Sequence, residues 1–332
     1  MMATLAAIVA TIVGTIFAIA LLRRWAQRGR TPASLWWGLS LAQFALASAA
    51  LLLGQLLGWS EAVFRIFYLF GAVTNVLWLA LGTIAINVRR RGVTLTLGVT
   101  LLVVAGLCAW AASASEQPLL WWDTVALSAA LGLLSLLPRA DWIARGSAVV
   151  VVLFTLAAAV MVLGADLVAE IPADGLPEGR ALFGLPIRGL AVAGNVVGSV
   201  IVIVGALASS AHVVWKRPDR SADVLLTGVT VTDRSWFAAT AEWLFAGRRN
   251  APKAGNVVRG NLLIALGVLL AAGSALFAYL SELVSAVIGI TLTDADTTGH
   301  AVGLAIGVIV MYAGFRRTLA PVERAPVERA PQ

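Results

Sequence analysis

Nine runs of apolar residues, most about twenty long and separated by short arginine-bearing segments, leave this chain few ways to fold. A helix needs roughly 20 apolar residues to cross the hydrocarbon core of a bilayer. The runs cover residues 3–22, 34–57, 66–88, 93–112, 119–137, 146–165, a stretch within 189–215, 260–281 and a short one at 301–315. Only 12% of the residues are charged and 60% are apolar, with mean hydropathy +0.91. An ordinary soluble domain carries about 25% charged residues. A soluble globular fold and a disordered chain are both excluded. The expected fold is an all-α polytopic transmembrane helical bundle of nine spans.

The basic residues test that count, because Lys and Arg concentrate on the cytoplasmic side. With the N-terminus outside and the C-terminus cytoplasmic, all but Arg65, Arg180 and Arg188 of the 24 basic residues fall inside. If the fifth run did not cross, everything after it would invert and most basic residues would lie outside. The net charge of +7 therefore reflects orientation, not a nucleic-acid surface. The first run has its arginines after it, the reverse of a secretory leader, and reads as an anchor. Trp25, Trp36, Trp37, Trp59, Trp110, Trp121, Trp122, Trp142 and Trp215 fall near span ends, where indoles prefer to sit.

Chemistry is sparse. A single cysteine, Cys108, excludes an internal disulfide, and two histidines, His212 and His300, exclude a four-histidine haem bundle. P-loop, GxGxxG, HExxH and nucleophile-elbow patterns are missing from the sequence. No catalytic set, cofactor or resident metal is expected. Asp294, Asp296 and His300 lie in a polar segment that reads as solvated loop, with a divalent-cation site as the sharper reading. His212 reads as a span-end residue.

Ionisable residues are missing from the middle of the runs, where ion-coupled carriers need them. The deep polar groups are amides. Gln43 and Asn75 each lie about ten residues into consecutive spans, roughly 15 Å deep at 1.5 Å per residue. These two antiparallel helices let the amides meet, and Asn195 lies in the seventh span. One reading is interhelical hydrogen bonding, worth about 0.6–2 kcal/mol; the other is a polar substrate pocket. Gly194/Gly198 and Gly303/Gly307 permit close helix approach without fixing an oligomeric state.

The largest extramembrane piece is the loop 216–259. Within 235–247, Trp236, Phe237, Trp243 and Leu244 share a helical face, with Arg248 and Arg249 following. That face suits the anionic inner interface, the bundle itself, or a protein partner. The tail repeats Ala-Pro-Val-Glu-Arg from 320 and again from 325, so 318–332 reads as a disordered Pro-rich end.

The stretch 61–71, Glu-Ala-Val-Phe-Arg-Ile-Phe-Tyr-Leu-Phe-Gly, continues through Trp78 to Leu81-Gly-Thr83. With Gly-Asn-Leu-Leu-Ile-Ala-Leu-Gly at 260–267, it resembles uncharacterised multi-span integral membrane proteins of actinobacteria. The resemblance implies a multi-pass protein of the bacterial plasma membrane and brings no activity or site.

Three functional readings follow. The first is a non-enzymatic sensory or scaffolding membrane protein acting through the cytoplasmic loop. The alternative is a permease or flippase for a neutral or amphipathic solute, using Gln43, Asn75 and Asn195. The third is a lipid-modifying enzyme, whose only acids would be outer carboxylates such as Asp166 and Asp294. Lipid is the expected surrounding in all three. Topology reporters fused after Arg30, Arg91 and Arg145 are expected to read as cytoplasmic, and those after Ser60, Gln117 and Glu178 as external. Reversal of every reporter beyond residue 137 would show that the fifth run does not cross.

Overall fold

The computed structural model describes residues 2–27, 31–172, 177–215, 258–270 and 293–318, and these residues form helices and connecting turns with no strand. The helices are α1 (Met2–Gln27), α2 (Pro32–Leu57), α3 (Glu61–Asn87), α4 (Arg91–Ala114), α5 (Leu119–Leu136), α6 (Ala140–Gly164), α7 (Leu185–Trp215), α8 (Val258–Leu270) and α9 (Thr293–Thr318). By length and composition, the first seven can each cross a membrane. The last two expected runs correspond to shorter apolar stretches, Val258–Leu270 and Ala305–Phe315. Residues 271–281 of the eighth run lie outside the described residues. The ninth is preceded by helix, not by the expected loop: Asp294, Asp296 and His300 belong to the first turns of α9. A helical backbone needs no apolar side chains, so hydropathy alone placed that boundary too late.

The helix surfaces reverse the pattern of a water-soluble protein. On α1, Leu5, Val9, Ile12, Ile16 and Ile19 face outward, while Ala7, Ala10 and Ala18 are buried. On α6, Val149, Leu153, Leu156 and Val160 are exposed, while Ser147 and Ala158 are fully buried. Phe17 and Leu21 on α1 and Ile143, Val151 and Val162 on α6 are buried as well, so what suits a hydrocarbon solvent is the outward aliphatic face together with small or hydroxyl-bearing residues among those turned inward. Soluble monomers rarely expose apolar patches beyond a few hundred Å².

Short connections set the alternation. Pro32 starts α2 at a position where its missing N–H costs nothing. Gly58, at φ 88°, turns the chain between α2 and α3, and the Ser60 side chain caps α3 by accepting from the Val63 N–H. Two of the arginines that read as orientation signals also join helices. Arg91 donates to the carbonyls of Leu136 and Leu137 at the end of α5, at 2.8 and 2.5 Å. Arg90 donates to the Ser209 hydroxyl on α7, and partial burial pulls its guanidinium below the ordinary arginine value.

Inside the bundle α1 packs along α2, α4 along α5, and α7 lies against α3, α4 and α5. Glycines set the close approaches. A Cβ on Gly98 would lie 3.1 Å from the Gly132 carbonyl oxygen, and one on Gly267 would lie 2.5 Å from that of Gly307. Gly82 leaves a slot for the Trp37 indole, 2.1 Å from where a Cβ would be. Trp37 is 2% exposed, donates to the Leu79 carbonyl at 3.1 Å and packs on Phe315. It is therefore a core residue and not an interfacial anchor. Trp36 packs on Trp78, while Trp110, Trp122 and Trp142 are exposed as anchors require. The tightest backbone-to-backbone approach among the described residues is α7 on α3, where a Cβ on Gly194 would stand 1.9 Å from the Val73 carbonyl oxygen. Gly→Ala within a helix ordinarily stabilises. Gly194→Ala should instead cost about 1–3 kcal/mol by forcing the helices apart. Gly106→Ala, which meets nothing within 4 Å, should be neutral or stabilising in the same thermal-unfolding assay in detergent.

Candidate functional site

The site is organised by an irregularity in α3. Residues Tyr68–Thr74 adopt a π-helical turn, whose i→i+5 bonding widens the coil. In a non-aqueous interior the carbonyls at such an irregularity gain from additional side-chain donors. The Thr74 hydroxyl supplies one to Leu69 at 2.9 Å and also stands 2.8 Å from Gln43 Oε1, its single hydrogen shared between the two. The Asn195 amide supplies the other, donating to the Ala72 carbonyl and, within its own helix, to Ala191 at 3.1 Å. Gly194 and Gly198 let α7 come close enough for Asn195 to reach.

Beside the π turn lies a cavity of about 440 Å³ between α2, α3 and α7, with Val268, Val308 and Met311 of α8 and α9 on its wall. That volume falls within the usual range for small-molecule pockets, about 300–1,000 Å³. Its walls are mainly aliphatic, and its polar lining is Ser40, Ser48, Asn75, Asn195 and Ser199. None of the described lining residues ionises at neutral pH. Ser40 Oγ lies 2.9 Å from the Asn75 main-chain carbonyl and 2.7 Å from Asn75 Oδ1, its single hydrogen shared between the two.

Two of the three amides singled out in the sequence therefore line one cavity. The third, Gln43, does not; it supports Thr74 from α2. Gln43 and Asn75 do not meet directly, because Ser40 and Thr74 stand as their partners. Ser40, Ser48 and Ser199 were missed by a reading that looked for amides and charges. Their spacing carried a signal: Ser40 and Ser48 are eight apart, and Asn195 and Ser199 four apart, each pair on one helical face. Trp236, Phe237, Trp243 and Leu244 lie outside the described residues, as does the tail 319–332.

A second polar centre closes one end of the bundle. Arg65, which immediately precedes the third apolar run and is expected on the outer side, is 7% exposed. Its guanidinium pairs with Glu61 one turn earlier, with Nε at 2.8 Å, and donates to the carbonyls of Val162 and, at 2.5 Å, Ala165. It thus satisfies the C-terminus of α6, whose dipole favours a cation. Around it Phe64, Tyr68 and Phe183 pack ring on ring. A Cβ on Gly179 would lie 1.9 Å from the Tyr68 ring, so the 179–182 turn is pressed onto the start of the π segment. Nothing here resembles a reacting centre: the carboxylate of Glu61 is engaged by Arg65, and the other acceptors are main-chain carbonyls.

Comparison with known protein families, with curated proteins and with solved structures finds no match to this chain. For the Arg65 centre, Arg65→Leu should lower stability by about 1–3 kcal/mol, the cost of leaving buried carbonyls unpaired. Arg65→Lys, a single point charge without the guanidinium fork, should fall between. Thermal unfolding in detergent reads both, and an unchanged Arg65→Leu midpoint would contradict the capping role.

Proposed function

We propose that the protein is a multi-pass protein of the bacterial plasma membrane whose helical bundle binds and carries a neutral or amphipathic solute. The observation that supports this most is the cavity beside the π turn, with Asn75 and Asn195 on its wall and no ionisable group in its described lining. Burying an unpaired charge is far more costly than burying a hydrogen-bonding group. A site lined by amides, hydroxyls and aliphatic chains therefore selects uncharged molecules. The same described lining provides no titrating group to bind and release a proton, so carriage would not be proton-driven through it. In this reading the exposed aliphatic faces of α1, α4 and α6 meet lipid chains, and the arginine-bearing connections hold the N-terminus outside.

The lone cysteine, buried Cys108, makes accessibility measurable once replaced by serine. In a Cys108→Ser background, Ser199→Cys is expected to react with a water-soluble thiol reagent. Val151→Cys, at a fully packed position, should not react, and Gln117→Cys in an exposed turn should react fully. Absence of reaction at 199, with 117 labelled, would mean a packed interior and would sink the carrier reading.

A further inference from the structure

The polar groups left over in the cavity narrow the ligand further than "neutral". Both amide hydrogens of Asn195 are used, on the carbonyls of Ala72 and Ala191, so what Asn195 offers the cavity is its acceptor, Oδ1. Asn75 is the complement. Its main-chain and side-chain oxygens accept from Ser40, and its Nδ2 donors remain. The Ser199 hydroxyl, one helical turn from Asn195, faces the same space. The remaining wall is aliphatic or aromatic: Leu41, Phe44, Leu51 and Phe67 on one side, Val268 and Met311 on the other.

From this inventory we propose that the cavity takes a lipid alcohol, an uncharged molecule with a single hydroxyl head and a hydrocarbon body. A hydroxyl both donates and accepts, which matches an acceptor at Asn195 and donors at Asn75 that are unoccupied among the described residues. A ketone or quinone head only accepts and leaves Asn195 Oδ1 unmet. A carboxylate, phosphate or quaternary ammonium head brings a charge that no described lining group balances. The aliphatic walls accept the chain, and the aliphatic surface of the bundle is compatible with supply from the surrounding lipid. The inference rests on the cavity being the working site, as proposed above.

The test uses the full chain in lipid nanodiscs and a photoreactive diazirine-tagged dodecanol, with crosslinked peptides mapped by mass spectrometry. Crosslinks are expected on the lining segments of α2, α3 and α7 and should be suppressed by plain dodecanol. The chain-matched 2-dodecanone should compete about five- to tenfold more weakly, the loss of roughly one hydrogen bond. Dodecyltrimethylammonium should compete more weakly still. Asn75→Leu keeps the Ser40 bond to the main-chain carbonyl and should fold; it is expected to weaken dodecanol competition about fivefold, again one hydrogen bond. If the ketone and the ammonium compete as well as the alcohol, the cavity binds amphiphiles without reading the hydroxyl. The alcohol assignment then falls and the carrier reading stands. If the wild-type chain shows no crosslinks in the lining, or if Val196→Trp, which fills the cavity, leaves the labelling unchanged, the cavity is not the site and both fall.

Discussion

The structure depends on the backbone contact between α3 and α7. At Gly194 the two helices approach so closely that a single methyl group would overlap the Val73 carbonyl, and Gly198 repeats the approach one turn on. In water, such a contact would be driven by burying apolar surface. Between helices already surrounded by hydrocarbon that drive is weak, and close van der Waals packing with interhelical hydrogen bonds takes its place. Small residues where α7 meets α3, and an asparagine beside them, supply both terms at once.

That contact also makes the π turn tolerable. A π turn shifts the main-chain bonds from i→i+4 to i→i+5, and in a medium without water any main-chain group left unbonded there would cost about 2–7 kcal/mol. Asn195 from α7 and Thr74 from α3 itself answer the Ala72 and Leu69 carbonyls, with Gln43 behind Thr74. Of the two readings of these amides, interhelical hydrogen bonding is thus met by Gln43 and Asn195. The cavity is lined by what two of them do not spend on that task. Arg65 applies the same rule at one end of the bundle, where its buried guanidinium answers carbonyls of α6.

Much of this was legible in the sequence. The runs at 3–22, 34–57, 66–88, 93–112, 119–137, 146–165 and 189–215 correspond to α1 to α7, because crossing length and apolarity are properties of a segment alone. The small-residue pair Gly194/Gly198 marked a true packing face. Trp37 was misread because position near a span end says nothing about which way an indole points; Gly82, 45 residues away, decides that by leaving a slot. The sequence shows Arg65 at the edge of an apolar run but not its burial, because its carbonyl partners at 162 and 165 are about a hundred residues distant. Ser40, Ser48 and Ser199 were passed over because serine is common in apolar helices and usually bonds to its own backbone.

By itself the sequence determined an all-helical chain, the extent of seven apolar helices, the clustering of arginines in alternate connections and the lack of charge at mid-helix. These follow from local composition and from period, which neighbours do not alter. The tertiary structure decided which amides share a cavity, which serines join them, and that α3 carries a π turn held by α7. Those outcomes depend on how helices rotate and slide against one another. That in turn depends on where a missing Cβ lets two backbones touch, a property of pairs of segments that no single segment encodes.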